Sequence, residues 1–513
     1  MQKKKSLISV AVWLMVIEVI MKLLGFIKQM VIANFYGANK EVDIYFVASD
    51  FINGISNAII ASVSIALIDI YVNYRKQEGK DKADNLISQI YEFFFGVGIF
   101  FSIIFMFGAT WISNILAPSF SGENKIILAQ YLRLFSGIIV LTLMSMVLNA
   151  ILNSYEKYIV CKSRSLCYSV FVILACLFLS KKIGIYALIL AQYITLVVYI
   201  IIEILCLRTL YQFHLVIIKQ YNKIKEIGKI ALPIIIGNSV IYINYLVDNA
   251  IASGLNQGSV SALAYSHTID DCFVGVFITS IGSILFPHLL NKKVEEKSSV
   301  VEDTLTKAIS YLILIILPIC LIACLVGPEI VEVLFLRGKF TKDMVPITAL
   351  ALKGYVLRYP FIIVRDFTTQ GLYTFKNRRG PMASAIIATI VNICFSYLMA
   401  KYLGIFAITL GTTISVVIGA TIDAILLKKQ TSKINYKECI EIFLKGLIPT
   451  GICVGIYFLI KESILRRSSY FVICVISLMV FVIYFGFFII IKDERMMDLI
   501  RKIKRKKSID ILN

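Results

Sequence analysis

The sequence predicts an all-α polytopic membrane protein with about fourteen transmembrane helices: two parallel-repeat six-helix lobes around a central cavity, plus two C-terminal helices. Three observations predict this. The 513 residues are 59% hydrophobic and only 16% charged, with a mean hydropathy of +0.84, where soluble domains hold roughly 45–50% apolar residues. Apolar windows of about 20 residues recur along the whole chain, each long enough to cross a hydrocarbon core of about 30 Å. The two halves also resemble each other at an offset of about 220 residues.

The windows lie near 7-34, 43-72, 86-115, 127-153, 158-180, 183-207, 226-252, 262-290, 305-327, 346-374, 381-401, 404-427, 440-460 and 469-491. The first follows "MQKKK" as a signal peptide's apolar run would. It is too long for one, carries Glu18 and Lys22, and has no Ala-x-Ala cleavage pattern, so it reads as an uncleaved span. The net charge of +20 encodes topology. With both termini cytoplasmic, the inner loops carry about 30 Lys and Arg against about ten outside. The clusters "MQKKK", "KKQTSK" and "RKIKRKK" fall on that inner side, where anionic headgroups attract them. No aromatic or motif context supports nucleic-acid binding. The 11 cysteines are scattered through apolar spans, and with three histidines in the chain no metal or disulfide framework is expected.

The repeat sets the domain organisation. "KKIGIYALILAQYITLVVYI" (181-200) matches "KYLGIFAITLGTTISVVIGA" (401-420), and "SIALIDIYVNYR" (64-75) echoes "GSILFPHLLNKK" (282-293). Residues 115-135 echo 334-354, with Phe120 against Phe340. An even number of spans per unit sends both copies into the membrane in the same direction, and such lobes enclose a site at their interface. The expected organisation is an N-terminal six-helix lobe 1-208, an amphipathic cytoplasmic linker 209-225, a C-terminal six-helix lobe 226-428, two additional helices within 429-492, and a basic cytoplasmic tail 493-513.

Charges inside apolar spans carry the functional signal. One ion at mid-bilayer costs about 2.5–3.5 kcal/mol on insertion scales, so such groups line a wet cavity or pair together. Glu18 and Lys22 share a face at i, i+4 and can pair. Lys28 falls about 120° from Lys22 around the helix, so both can border one wide cavity. Asp43 and Asp50 lie two turns apart on one face of the next span, able to meet those lysines. Arg365 and Asp366 sit mid-span in "FIIVRDFTTQG". Lys22, Lys28 and Arg365 would bind an anion such as a phosphate through charge-assisted hydrogen bonds. Asp43, Asp271 or His267 would keep the empty cavity neutral or carry coupling protons.

The stretch "LLGFIKQMVIANFYGANKEVDIYFVA" resembles the N-terminal signature of MurJ/MviN-type lipid II flippases: Leu-Gly-Phe, a basic residue, Phe-Gly-Ala, then Thr-Asp-Ala-Phe-Phe-Val-Ala. "ALAYSHTIDDCFVGVFITSIGSILFPHL" (262-289) and "VLFLRGKFT" (333-341) are similar to later segments of that family. The resemblance implies a two-lobed transporter of the multidrug/oligosaccharidyl-lipid/polysaccharide exporter superfamily. It would move a polyprenyl-diphosphate-linked sugar from the cytoplasmic to the outer leaflet of a bacterial membrane for cell-wall synthesis. The family's cationic cavity residues fall on Lys22, Lys28 and Arg365, and its acidic ones on Asp43 and Asp271. Departures are Asp50, where a basic residue is usual, Ser56 and Asn57 in place of an Arg pair, and His267-Thr268 in place of Asp-Arg. These make the cavity less cationic and keep another lipid-linked glycan open as cargo.

The expected partners are a lipid-linked sugar diphosphate and membrane lipids, with other envelope-synthesis proteins as candidates. No cofactor is expected. A cation-coupled multidrug exporter and a non-transporting scaffold of an envelope polysaccharide complex are the alternatives. An enzyme is not expected, since the chain has no nucleophile with its base, metal-ligand spacing or glycine-rich phosphate loop.

Overall fold

A computed structural model describes residues 7–212, 221–275, 298–431, 434–464, 467–498 and 500–501. The "MQKKK" cluster, most of the "RKIKRKK" cluster, the middle of the linker, the repeat segment 282–293 and the second half of the 262-290 window lie outside the described residues. Within them the regular structure is helical, with no strand. This is the outcome a bilayer imposes, because a helix satisfies its own backbone hydrogen bonds.

In chain order the helices are α1 (Leu7–Tyr36), α2 (Lys40–Glu78), α3 (Lys80–Leu116), α4 (Gly122–Ser154), α5 (Tyr158–Lys162), α6 (Arg164–Phe178), α7 (Ser180–Ile183) and α8 (Tyr186–Leu207). There follow α9 (Tyr221–Ser253), α10 (Ser259–Val274), α11 (Ser298–Leu325), α12 (Gly327–Phe335), α13 (Met344–Val356), α14 (Tyr359–Thr374), α15 (Arg379–Leu403), α16 (Ile405–Gln430), α17 (Tyr436–Ile464) and α18 (Ser469–Ile490). Among the described residues 10 helices are long and apolar enough to cross a membrane, or 11 if α13 and α14, bent by 41° at their junction, form one span.

The chain folds as two compact units. The first comprises Met1–Cys272, Arg337–Met344 and Ser396–Ile405. Its centre is α4, which packs against α2, α3 and α8, while α6 lies on α1 and α8, and α9 on α2. Leu132, Phe135, Ile139 and Met146 of α4 are almost wholly buried. By contrast α3 turns Phe107 and Trp111 outward, 80% and 71% exposed, as suits side chains whose solvent is lipid.

Local chemistry sets the ends of α2. Gly37, with φ +75°, turns the chain out of α1, a conformation open to glycine, and an added Cβ there would collide with the Lys339 carbonyl. Asn39 caps α2 by accepting from the Val42 N–H at 3.1 Å. Glu41 and Asp43 occupy the first turn, Arg75 and Lys76 the last, each complementing the helix dipole.

The second unit comprises Phe273–Leu336, Val345–Phe395 and Phe406–Asn513. Its α11 packs against α14 and α17, with α18 alongside α17 and α12. Leu321, Val326, Cys453, Tyr457, Val472, Ile476 and Val480 form one buried cluster there. The Thr413 hydroxyl donates to the Gly354 carbonyl at 2.6 Å, tying α16 to α13.

Candidate functional site

In the first unit, charged and aromatic groups of α1, α2, α6, α9 and α10 converge. Lys28 of α1 sets its ammonium over the Tyr168 ring of α6, 4.6 Å from the centroid. The ring's electron-rich face attracts the ammonium and replaces part of the water it loses on burial. Asp50 of α2 lies within electrostatic reach of Lys28 and accepts from the Asn249 amide of α9 at 3.0 Å. The carboxylate thus tempers Lys28 without forming a close ion pair with it.

Lys22, exposed one and a half turns earlier, points its ammonium to the Asp271 carbonyl at 3.5 Å. The Asp271 carboxylate instead meets His267 Nδ1 at 3.1 Å. On the far side of that ring, His267 Nε2 is 2.7 Å from the Tyr245 hydroxyl. With the Nδ1 proton directed at the carboxylate, Nε2 accepts from tyrosine, and a second proton makes the ring cationic. Tyr245, His267 and Asp271 therefore form a relay able to hold or pass a proton beside Lys22. The ligand atoms of His267, Asp270 and Asp271 also lie within 4.8 Å of one another, but both His267 nitrogens are already engaged.

The other expected site residues have different partners. Asp43 is buried, and its carboxylate accepts from the Gly258 N–H at 2.7 Å, the Ser261 N–H at 2.8 Å and the Ser261 hydroxyl at 2.6 Å. It is thereby committed to the positive N-terminal end of α10. Tyr265 reinforces the junction by donating to the Gly37 carbonyl at 2.5 Å. Glu18 pairs with Lys162 of α5 rather than with Lys22, its sequence neighbour at i, i+4. Arg365 and Asp366 belong to α14 in the second unit, where the Arg365 guanidinium lies along Gly419 of α16; a Cβ there would be 3.1 Å from Arg365 Nε.

Tyr168, Asn249 and Tyr245 were not singled out from sequence. Asn249 follows Asp248 inside an apolar helix and carried a readable polar signal. For Tyr168, one tyrosine among 27, none existed.

The family profile described as lipid II flippase MurJ matches residues 32–481. The chain belongs to that family. Among MurJ relatives, a probable lipid II flippase of Borreliella burgdorferi is 22% identical over 443 residues, covering 86% of this chain and 87% of its own. The lipid II flippase MurJ of Burkholderia cenocepacia is also 22% identical, over 413 residues, covering 79% of each chain. A solved lipid II flippase MurJ in an inward closed conformation superposes with a TM-score of 0.77 at 21% identity, covering 94% of this chain and 100% of that one. An inward-facing multidrug resistance MATE transporter follows at 0.68 and 14% identity, covering 80% and 96%. The fold is thus the one MurJ and MATE transporters share, and the chain is a multi-pass membrane protein of the MurJ family.

Proposed function

We propose that the chain is a lipid II flippase that carries its lipid-linked sugar diphosphate from the cytoplasmic to the outer leaflet by alternating access. The match to the MurJ profile over 32–481 carries this reading. Lys22 and Lys28 support it chemically, as two ammonium groups on one apolar helix suited to the two phosphates of the cargo. In this reading Arg365 lines the same cavity from the second repeat, about fourteen spans form two lobes, 1-208 and 226-428, and both termini are cytoplasmic.

Asp50 favours a second cargo within the same class. Its charge beside Lys28 lowers the anion affinity of the site, which suits another polyprenyl-diphosphate glycan as well as lipid II. No step in this cycle makes or breaks a covalent bond of the cargo.

Native mass spectrometry of the purified chain with lipid II, a second polyprenyl-diphosphate glycan and a neutral polyprenol tests the reading. It expects the diphosphates to bind in preference to polyprenol, and Lys22→Ala with Lys28→Ala to remove that preference. Equal binding of all three overturns it.

A further inference from the structure

Glu203 stands in the apolar run "YIIIEILCL" of α8 and is fully buried. Its carboxylate receives one long bond, from the Asn149 amide at 3.4 Å, and its Oε2 has no hydrogen-bond partner. Two of the donors around it also serve closer acceptors. Asn149 of α4 donates to the Tyr199 hydroxyl at 2.7 Å, and Tyr199 donates to the Val160 and Cys161 carbonyls at 3.0 Å each. The Arg164 guanidinium of α6 reaches the Thr142 hydroxyl at 3.5 Å and forms no ion pair with Glu203 within 4.0 Å. The Ser145 hydroxyl of α4 lies within hydrogen-bonding reach of the carboxylate, and Tyr91 of α3 lies within its electrostatic reach.

The second repeat offers an internal control. Asp423 lies 220 residues after Glu203 in sequence, Thr369 the same distance after Asn149, and Ser384 after Arg164. In the second unit Asp423 is also buried. It accepts from the Thr369 hydroxyl at 2.7 Å and the Ser384 hydroxyl at 2.6 Å, one on each oxygen. The same station of the repeat therefore holds a carboxylate satisfied on both oxygens in one copy and left with one unpartnered oxygen in the other. A bare carboxylate in hydrocarbon is the state burial penalises most, while its neutral acid is tolerated.

We propose that Glu203 is a proton-binding site of the first repeat, neutral in this conformation, which releases its proton to water and takes it back during the transport cycle. Deprotonation breaks the carboxyl O–H bond and leaves a carboxylate whose nearest cation is Arg164. Arg164 shares a face of α6 with Tyr168, one turn on at i+4, and Tyr168 is the seat of Lys28. Drawing Arg164 off Thr142 toward the carboxylate moves that face, so the proton couples to the cation that meets the cargo. The coupling rests on the flippase reading; the proton site does not.

Infrared pH titration of the full chain in lipid nanodiscs tests the site. Difference spectra are expected to show a protonated-carboxyl C=O component in the wild type that is lost in Glu203→Gln and retained in Asp423→Asn. A spectrum unchanged by Glu203→Gln overturns the proposal, because the carboxylate is then ionised beside Arg164. Should that variant not accumulate, Asn149→Ala removes a donor to the carboxylate and is expected to move that component's titration to higher pH; an unmoved titration overturns the proposal equally. In flipping assays Glu203→Gln is expected to slow flipping and to remove its pH dependence. A wild type that shows the band but flips nothing defeats the flippase reading and leaves the proton site standing.

Discussion

Glu203 of α8 and Asp423 of α16 stand 220 residues apart, at matching stations of the two repeats, and they have opposite surroundings. Asp423 is held by two hydroxyls; Glu203 has one weak bond and one bare oxygen. The residues around them differ in kind. Beside Glu203 the repeat supplies Arg164 and Tyr168, whereas 220 residues on it supplies Ser384 and Ala388. Duplication kept a buried acid in both copies, but at the matched positions only the first copy has a charged and aromatic helix face leading from the acid to Lys28. The second copy's acid is a fastener and the first copy's is a titrating group.

That contrast can be broken most severely at Asp423. Asp423→Leu leaves the Thr369 and Ser384 hydroxyls without their acceptor and is expected to cost about 2–3 kcal/mol in thermal unfolding, whereas Glu203→Leu is expected to be neutral or stabilising. Equal losses would make both acids structural. Next, Tyr168→Leu removes the ring under Lys28 and is expected to slow flipping about fivefold, in line with about 1 kcal/mol for a partly desolvated cation–π contact. A slowing that persists in Lys28→Ala would disconnect the α6 face from the lysine. Thr369→Val removes one of the two bonds to Asp423 and is expected to cost about 1 kcal/mol of unfolding stability. An unchanged melting curve would remove the distinction between a satisfied and a bare acid. The smallest effect is expected at Glu18, where Glu18→Gln breaks the exposed pair with Lys162 for about 0.5 kcal/mol. High salt should erase that difference, and a salt-independent loss would show the pair to be buried.

Much of the fold was legible because bilayer and sequence share one requirement: uninterrupted apolar helices. The apolar window puts the start of α2 only near 43; Asn39 and the acidic first turn set it at Lys40. Lys22 and Lys28 stood out as cations in an apolar run. What the sequence withheld was pairing. Asp43 shares a helical face with Asp50, yet its carboxylate serves the end of α10 more than two hundred residues away. Glu18 meets Lys162 because α5 and α6 pack on α1, which no local spacing encodes. Glu203 and Arg164 were intramembrane charges as visible as the lysines, but neither has an opposite charge at i+3 or i+4. Only the repeat offset and the packing together give them meaning.

The central claim is most directly tested by leaflet exchange of fluorescent lipid II in sealed vesicles containing the purified chain. Wild-type protein is expected to move the labelled lipid from one leaflet to the other, and Lys28→Ala to slow that movement at least about tenfold. Vesicles in which wild type and Lys28→Ala exchange the lipid at the same rate, or no faster than protein-free vesicles, would contradict it.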